Sequence, residues 1–243
     1  MRRALRELSA SFVRADVLVL VYHVVRSRAR FAAQMALLME HGYRVVSLRE
    51  FTDWLDGRLV VRSRTALLTF DGGYCEQLEH AVPILESLRC QATFFPISLA
   101  LENPAVGMGR RDLEALTTAG HAIGCHTHTH PDLTQISPHK LHDEVTDSKR
   151  RLEDALGGEV IAFCYPYGTR NSHVVQAVRE AGFKMAFTID LGGVSQGDDR
   201  FQLRRAAVLG EPSPTGFSAF VRGVPFVSGS LLAWWKIRER FLD

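Results

Sequence analysis

The sequence of 243 residues lacks the features that mark membrane-spanning, disulfide-rich or nucleic-acid-binding proteins. No stretch approaches the roughly 18 uninterrupted apolar residues of a membrane span. The cysteines, Cys75, Cys90, Cys125 and Cys164, are far apart and form no CxxC pair, which disfavours a disulfide framework or a thiolate zinc site. A formal net charge of +2 gives no reason to expect a nucleic-acid partner. An apolar content of 46% is that of an ordinary globular protein with a sizeable core.

The two ends of the chain bear on its location. The start, MRRALRELSASFVRADVLVLVYHVV, is basic and then apolar, but Arg14 and Asp16 interrupt it and no small-residue cleavage site follows, so we do not interpret it as a signal peptide. We expect a protein that is cytoplasmic or peripheral to a membrane. The apolar and basic segment from Leu231 to Arg240 is predicted to be a closing helix, with contact to a membrane surface as the alternative.

Strand and helix patterns alternate along the chain, which predicts an α/β fold with a parallel sheet and helical crossovers. Predicted strands cover residues 17–22, 43–46, 65–70, 92–96, 121–125, 160–164, 184–189 and 203–208. Predicted helices cover residues 31–41, 48–55, 78–88, 112–119, 138–156 and 174–181. So many short strands in one chain favour a closed or nearly closed barrel. We expect one domain over residues 1–243, with a core at about 17–208 and a C-terminal helical extension over 209–243.

Three unusual stretches fall at the carboxyl ends of predicted strands, where barrel enzymes place their functional groups. They are Asp71–Tyr74, His126–Pro131 and Tyr165–Gly168. In the second, His126, His128 and His130 face the same way if the backbone is extended, whereas a turn at His128 lets only the outer pair converge. Two neutral imidazoles four residues apart are candidate ligands for a metal such as zinc, and the alternative is a His-rich surface loop.

In this order, the stretches resemble the polysaccharide deacetylase family, the NodB-homology group of metal-dependent carbohydrate N-deacetylases. Thr69–Tyr74 is similar to the first family motif, His126–Pro131 to the second and Tyr165–Gly168 to the third. The resemblance implies a distorted (β/α) barrel of about seven parallel strands. It also implies a divalent metal, zinc in the first place with cobalt or nickel as alternatives, and a carbohydrate substrate.

Residue roles follow from the same resemblance. Asp71 matches the catalytic base, and His126 and His130 match the two metal-binding histidines. Tyr167 matches the residue whose backbone N–H helps to hold the oxyanion. The implied reaction is hydrolysis of an acetamide on an amino sugar, with a metal that polarises the carbonyl and a carboxylate that takes a proton from water.

The sequence also departs from the family at three places. Gly72 stands where a second aspartate usually supplies the third metal ligand, and Cys164 stands where the third motif usually begins with arginine. The closing motif that supplies a general acid is missing, because no histidine follows His173. His23 and Arg205 are possible substitutes for the acid, and Asp71, His128, water or a substrate hydroxyl could fill the vacant ligand position.

Two functions remain open at this stage. The first is a metal-dependent hydrolase that removes N-acetyl groups from an amino-sugar polysaccharide, oligosaccharide or glycoconjugate by cleaving a non-peptide carbon–nitrogen bond. The second is a catalytically impaired protein of the same fold that binds carbohydrate or a partner enzyme, which Gly72 and the missing closing histidine would favour.

Overall fold

The computed structural model describes residues 15–62, 64–208, 210 and 212–222. Within them, eight parallel strands form a sheet in the order β5-β4-β3-β1-β8-β7-β6, and β2 pairs with the beginning of β3. The strands are β1 (Val17–Tyr22), β2 (Arg44–Val46), β3 (Thr65–Gly72), β4 (Thr93–Pro96), β5 (Ala122–Ile123), β6 (Ala162–Cys164), β7 (Met185–Leu191) and β8 (Leu203–Ala207). The predicted barrel of about seven parallel strands is confirmed.

Helices cross over between the strands. They are α1 (Arg28–Glu40), α2 (Leu48–Leu55), α3 (Val82–Ser87), α4 (Arg110–Thr118), α5 (Pro138–His142), α6 (Ser148–Leu156), α7 (Ser172–Glu180) and α8 (Pro214–Val221). Two predicted helices are interrupted, because π-helical turns at Gln77–Ala81 and Asp143–Asp147 precede α3 and α6. In the first case Pro83 has no N–H to donate to the preceding turn, which favours a local change of hydrogen-bond spacing.

The barrel closes where the chain leaves β5. Gly124 N–H donates to Phe94 C=O at 2.8 Å, but Cys125 N–H donates to Ala162 C=O at 2.9 Å and Cys125 C=O accepts from Cys164 N–H at 2.9 Å. Within two residues the backbone therefore passes from β4 to β6. This corner explains why β5 is shorter than the predicted strand over 121–125.

Both faces of the sheet are buried, as is usual for parallel strands. Along β1, Val17 and Val19 join an inner apolar cluster with Phe187, whereas Leu18 and Leu20 join an outer cluster between the strands and the helices. Residues of α2 complete the inner cluster, which closes the end of the barrel where the strands begin. The functional stretches lie at the opposite end.

The C-terminal part of the described chain packs on α1 and the segment that follows it. His41 Nε2 lies 2.7 Å from Ser218 Oγ, and the Tyr43 hydroxyl donates to Val221 C=O at 2.6 Å. Of the extension predicted over 209–243, the structure shows α8, while the segment from Leu231 to Arg240 lies outside the described residues. No helix in the described ranges is long and apolar enough to cross a membrane.

Gly124→Ala is expected to destabilise the protein by about 1–3 kcal/mol, because a new methyl group would overpack the barrel corner. An ideal Cβ at Gly124 would lie 2.2 Å from Cε1 of Phe95 and 3.0 Å from the carbonyl oxygen of Ala162. Gly158→Ala is the control, since a Cβ there meets no atom within 4 Å. Urea denaturation measures both variants, and equal free energies of unfolding would contradict the prediction.

Candidate active site

The three sequence stretches meet at the carboxyl end of the barrel. Asp71 lies near the end of β3, His126 follows the barrel corner, and Tyr167 lies in a short 3₁₀ turn (Pro166–Gly168) after β6. The side chains of Asp71 and His126 are buried, and His130 is half-buried. Residues that are distant in the sequence therefore form one recessed cluster of acid and imidazole groups.

Arg205 on β8 holds the carboxylate of Asp71 in a two-point ion pair. Arg205 Nη1 donates to Asp71 Oδ1 at 2.8 Å, and Nη2 donates to Oδ2 at 2.6 Å. The guanidinium is fixed in turn, because Nε donates to Thr188 C=O at 2.7 Å and Nη1 also donates to Thr69 Oγ1 at 3.1 Å. Arg205 has 0% of its surface exposed, so its guanidinium is enclosed among these partners.

Electrostatics keep this pair ionised. Burial raises the pKa of Asp71, but the charge and hydrogen bonds of Arg205 outweigh it and hold that pKa below its ordinary value. Burial lowers the pKa of Arg205, and the neighbouring Asp71 raises it overall. A guanidinium held in this ion pair does not readily release a proton, which disfavours Arg205 as the substitute for the missing general acid. It occupies instead the orienting position that the family resemblance assigns to an arginine in the third motif.

Cys164 stands beside this pair as a neutral thiol. Its Sγ lies 3.3 Å from Asp71 Oδ2 as a donor and accepts from Arg205 Nη2 at 3.0 Å. Burial raises the pKa of the Cys164 thiol well above its usual range. A small side chain at this position leaves the space in which Arg205 reaches Asp71 from another strand.

His126 is presented as a neutral ligand. Its Nδ1 lies 2.9 Å from the carbonyl oxygen of Cys164, which can only accept, so Nδ1 carries the proton and Nε2 keeps a free lone pair. Burial lowers the pKa of His126 to about 3, against an opposing effect of Asp71. At neutral pH the ring is uncharged, which is the form that binds a metal.

The loop after His126 brings two of the three histidines together. Left-handed backbone at Thr127 (φ 68°) and His130 (φ 63°) ends the extended conformation, and His130 N–H donates to Thr127 Oγ1 at 2.9 Å. The His126 and His130 rings lie edge to face with centroids 4.6 Å apart. His128 is turned away, with Nδ1 2.9 Å from Ser98 Oγ. The outer pair converges, and His128 is not brought to the candidate site.

Glu144 holds this loop, and sequence reasoning missed it. Its Oε2 accepts from the N–H groups of His128 and Thr129, both at 2.8 Å, and its Oε1 accepts from Thr129 Oγ1 at 2.6 Å. The side chain is fully buried, and Lys140 Nζ lies 3.2 Å from Oε1. The available signal was an acid at helical spacing from Leu141, on the predicted apolar face.

His23 approaches Asp71 from β1. Its Nε2 lies 3.9 Å from Asp71 Oδ2, and 46% of its side chain is exposed. The buried Gln77, which sequence reasoning also missed, donates from Nε2 to the carbonyl oxygens of His23 at 2.7 Å and Asp71 at 2.8 Å. The ends of β1 and β3 are thereby tied together below a solvent-accessible imidazole.

The donor set suits a divalent metal that prefers nitrogen ligands. His126 has a neutral ring whose Nε2 carries the lone pair, and His130 packs beside it. Asp71, His126 and Cys164 each offer a potential ligand atom, and these atoms lie within 4.8 Å of one another. Gly72 has no side chain to offer, so the site has fewer carboxylates than the family motif.

Comparisons with known proteins agree with this geometry. The sequence model described as Polysaccharide deacetylase matches residues 60–186, more than half of the chain. The chain belongs to the polysaccharide deacetylase family. It is therefore an enzyme of this class by family, with its first-motif aspartate and second-motif histidines gathered in one site.

Individual relatives support the assignment. YxkH of Bacillus subtilis is 24% identical over 217 residues, covering 86% of this chain and 77% of YxkH. A chitooligosaccharide deacetylase of Bradyrhizobium is 31% identical over 124 residues, covering 49% of this chain and 53% of that protein. The deacetylase PplD of Streptococcus pyogenes, solved in complex with acetate, has a TM-score of 0.76 and 27% identity, covering 82% of this chain and 95% of PplD.

Arg205→Met is expected to destabilise the protein at pH 7 by about 3–5 kcal/mol, because it leaves a buried carboxylate without its cation. In the wild type the lowered pKa of Asp71 adds stability above the unfolded value of about 3.9, and this is lost as the pH falls through the folded value. In the variant, burial raises the pKa of Asp71. Protonation of Asp71 in acid therefore removes the cost of a buried, unpaired charge. The difference in free energy of unfolding between the variant and the wild type should therefore become smaller as the pH falls from 7 to 4.5.

Urea denaturation at both pH values measures this difference. The double variant Asp71→Asn/Arg205→Met is the control, since it removes both charges and should be less destabilised at pH 7 than the single variant. A difference that stays constant between the two pH values would contradict the proposed coupling.

Proposed function

We propose that this enzyme is a metal-dependent hydrolase that removes N-acetyl groups from an amino-sugar polysaccharide, oligosaccharide or glycoconjugate. The observation that carries the proposal is the ionised Asp71 beside the paired imidazoles of His126 and His130, at the open end of a polysaccharide deacetylase barrel. Names of relatives, such as chitooligosaccharide deacetylase, support this substrate class. The bond cleaved would be a non-peptide amide.

Asp71 would act as the general base. A carboxylate offers about four lone-pair directions, and Arg205 and Cys164 use three of them among the described residues. One direction is left to take a proton from the attacking water. The ion pair keeps the carboxylate deprotonated, although its lowered pKa makes it a weaker base than an unpaired aspartate.

His126 and His130 would hold the metal, for which we propose zinc, with cobalt or nickel as alternatives. When bound, it would polarise the acetyl carbonyl and lower the pKa of a water molecule. Arg205 holds both carboxylate oxygens of Asp71 by hydrogen bonds, which disfavours Asp71 as the third metal ligand. We therefore assign the remaining positions to water and substrate.

Tyr167 would help to hold the oxyanion through its backbone. The residue has φ 57° and ψ 1°, and its ring packs edge to face on His130 with centroids 4.6 Å apart. The following Gly168 fixes this turn against β7, since a Cβ there would lie 2.4 Å from Ile189 Cγ1. A rigid turn can keep a backbone donor aimed at developing charge without reorganisation.

His23 would protonate the leaving amine in place of the missing closing histidine. Its Nε2 is 3.9 Å from the Asp71 carboxylate, and 46% of its side chain is exposed to solvent. In the proposed sequence His23 begins as the imidazolium: Asp71 takes a proton from water, and His23 delivers its extra proton to the amine nitrogen as the carbon–nitrogen bond breaks. Transfer from Asp71 to His23 then restores both groups, so the protons balance.

The metal assignment predicts that His126→Ala and His130→Ala lose the bound ion. Purified wild type should contain about one equivalent of a transition metal by elemental analysis after buffer exchange without chelator, and both variants should contain none. His128→Ala is the matched control, since its ring faces Ser98, and it should retain the metal. Metal-free wild type that gains nothing from added zinc, cobalt or nickel would favour the alternative below.

The acid assignment predicts that His23→Asn lowers kcat for acetate release from N-acetylated oligosaccharides by about 10²–10⁴. Metal content should be unchanged. The loss should largely disappear with an activated aryl acetate, whose leaving group departs without protonation. An equal loss on both substrates would show that His23 does not supply the leaving-group proton.

A carbohydrate-binding protein with impaired catalysis is the alternative, and Gly72 is the observation that favours it. One ligand fewer weakens a metal site by roughly 3 kcal/mol, about a hundredfold in affinity. Metal content and acetate release together separate the two functions, because the binding protein would retain oligosaccharide affinity without turnover.

A further inference from the structure

The backbone at Gly72 is covered by an aromatic ring. An ideal Cβ on Gly72 would lie 2.4 Å from Cε2 and 2.8 Å from Cζ of Tyr74, closer than side chains approach in proteins. The backbone also has φ +89°, where residues other than glycine are strained. The Tyr74 ring thus fills the space in which a side chain at position 72 would begin.

The backbone beneath that ring is held from both sides. Gly73 C=O accepts from Met108 N–H at 2.8 Å, and a Cβ on Gly73 would lie 2.8 Å from Cβ of Pro96. A Cβ on Gly107 would lie 2.8 Å from the Gly73 carbonyl oxygen. The hydrogen bond and the close approaches leave the turn that carries Tyr74 little room to shift.

Tyr74 is also open to solvent beside the candidate site. It is 38% exposed, and it follows Asp71 by three residues at the end of β3. Val106, 37% exposed, lies on the neighbouring loop that the Met108 hydrogen bond joins to Gly73. Of the five large apolar side chains exposed within the described ranges, these two lie at the rim of the barrel's functional end.

We propose that Tyr74 is a specificity-determining residue whose ring forms an aromatic wall for the sugar, and that Gly72 seats this ring. The inference rests on the proposed carbohydrate substrate. Sugar rings present apolar C–H faces as well as hydroxyls, and an exposed, rigidly supported aromatic ring offers a matching flat surface at little entropic cost. Position 72 thereby contributes space for a substrate-binding ring in place of a ligand.

Tyr74→Ala is expected to weaken oligosaccharide binding at least tenfold, about 1.4 kcal/mol, and to raise KM more than it lowers kcat. Tyr74→Phe keeps the ring and should stay within about twofold of wild type. The probes are tetra-N-acetylchitotetraose and a β-1,6-linked N-acetylglucosamine oligomer, with affinity from saturation-transfer NMR and turnover from acetate release. Leu88→Ala is the control, an apolar residue 39% exposed near the start of β4.

Gly72→Ala tests whether the space at Gly72 positions the ring of Tyr74. It should displace the ring and weaken binding in the wild-type background, but should weaken it no further in the Tyr74→Ala background. Backbone strain would lower Tm in both backgrounds, which separates it from the effect on affinity. Equal affinity losses in the two backgrounds would show that Gly72 does not act through Tyr74.

The outcomes keep this inference separate from the proposed hydrolase. Acetate release by the wild type with an unchanged KM and Kd in Tyr74→Ala would overturn the role of Tyr74 alone. Oligosaccharide binding that depends on Tyr74, in a wild type that releases no acetate, would support the role of Tyr74 in sugar binding and overturn the proposed hydrolase function. A wild type that neither binds nor deacetylates either oligomer would overturn both.

Discussion

The buried pair of Asp71 and Arg205 is the interaction on which the rest of the site depends. Two charges removed from water are costly unless every remaining donor is satisfied, and here Thr69, Thr188 and Cys164 supply those partners. These residues lie on β3, β7 and β6. The ion pair therefore has all its hydrogen-bond partners only when the barrel is closed and its strands are in their native register. The same contacts therefore stabilise the fold and orient Asp71, the candidate base.

Arg205 also shows how the arrangement of a site can persist while its sequence motif changes. The family resemblance places an orienting arginine at position 164, where this chain has cysteine, and the guanidinium comes instead from the neighbouring side of the barrel. All the strands direct their carboxyl ends to the same rim, so a side chain from β8 can reach the space that a side chain from β6 leaves open. The same local field at Asp71 results from a different part of the chain.

Much of the fold could be predicted because its signals are local. The strand predicted over 17–22 and the helix predicted over 48–55 appear in the structure with these bounds. The placement of Asp71, His126 and Tyr167 at one rim could be predicted as well, since each follows a recognisable strand. Tertiary interactions decided the rest, including the roles of Arg205 and Glu144. Strand register and a left-handed loop leave little trace in one sequence.

Gly72 is where the two possible functions diverge, and its surroundings bear on both. If Gly72 were only a lost metal ligand, the space above its backbone would be empty. That space is instead filled by the ring of Tyr74, whose turn packs on Pro96 and accepts a hydrogen bond from Met108. A ring in this position agrees with the proposed role of Tyr74 in sugar binding. The ion pair with Arg205 also keeps Asp71 ionised, which is the form that the proposed general base requires. Together they favour a deacetylase that places its substrate with fewer metal ligands and more contact to the sugar.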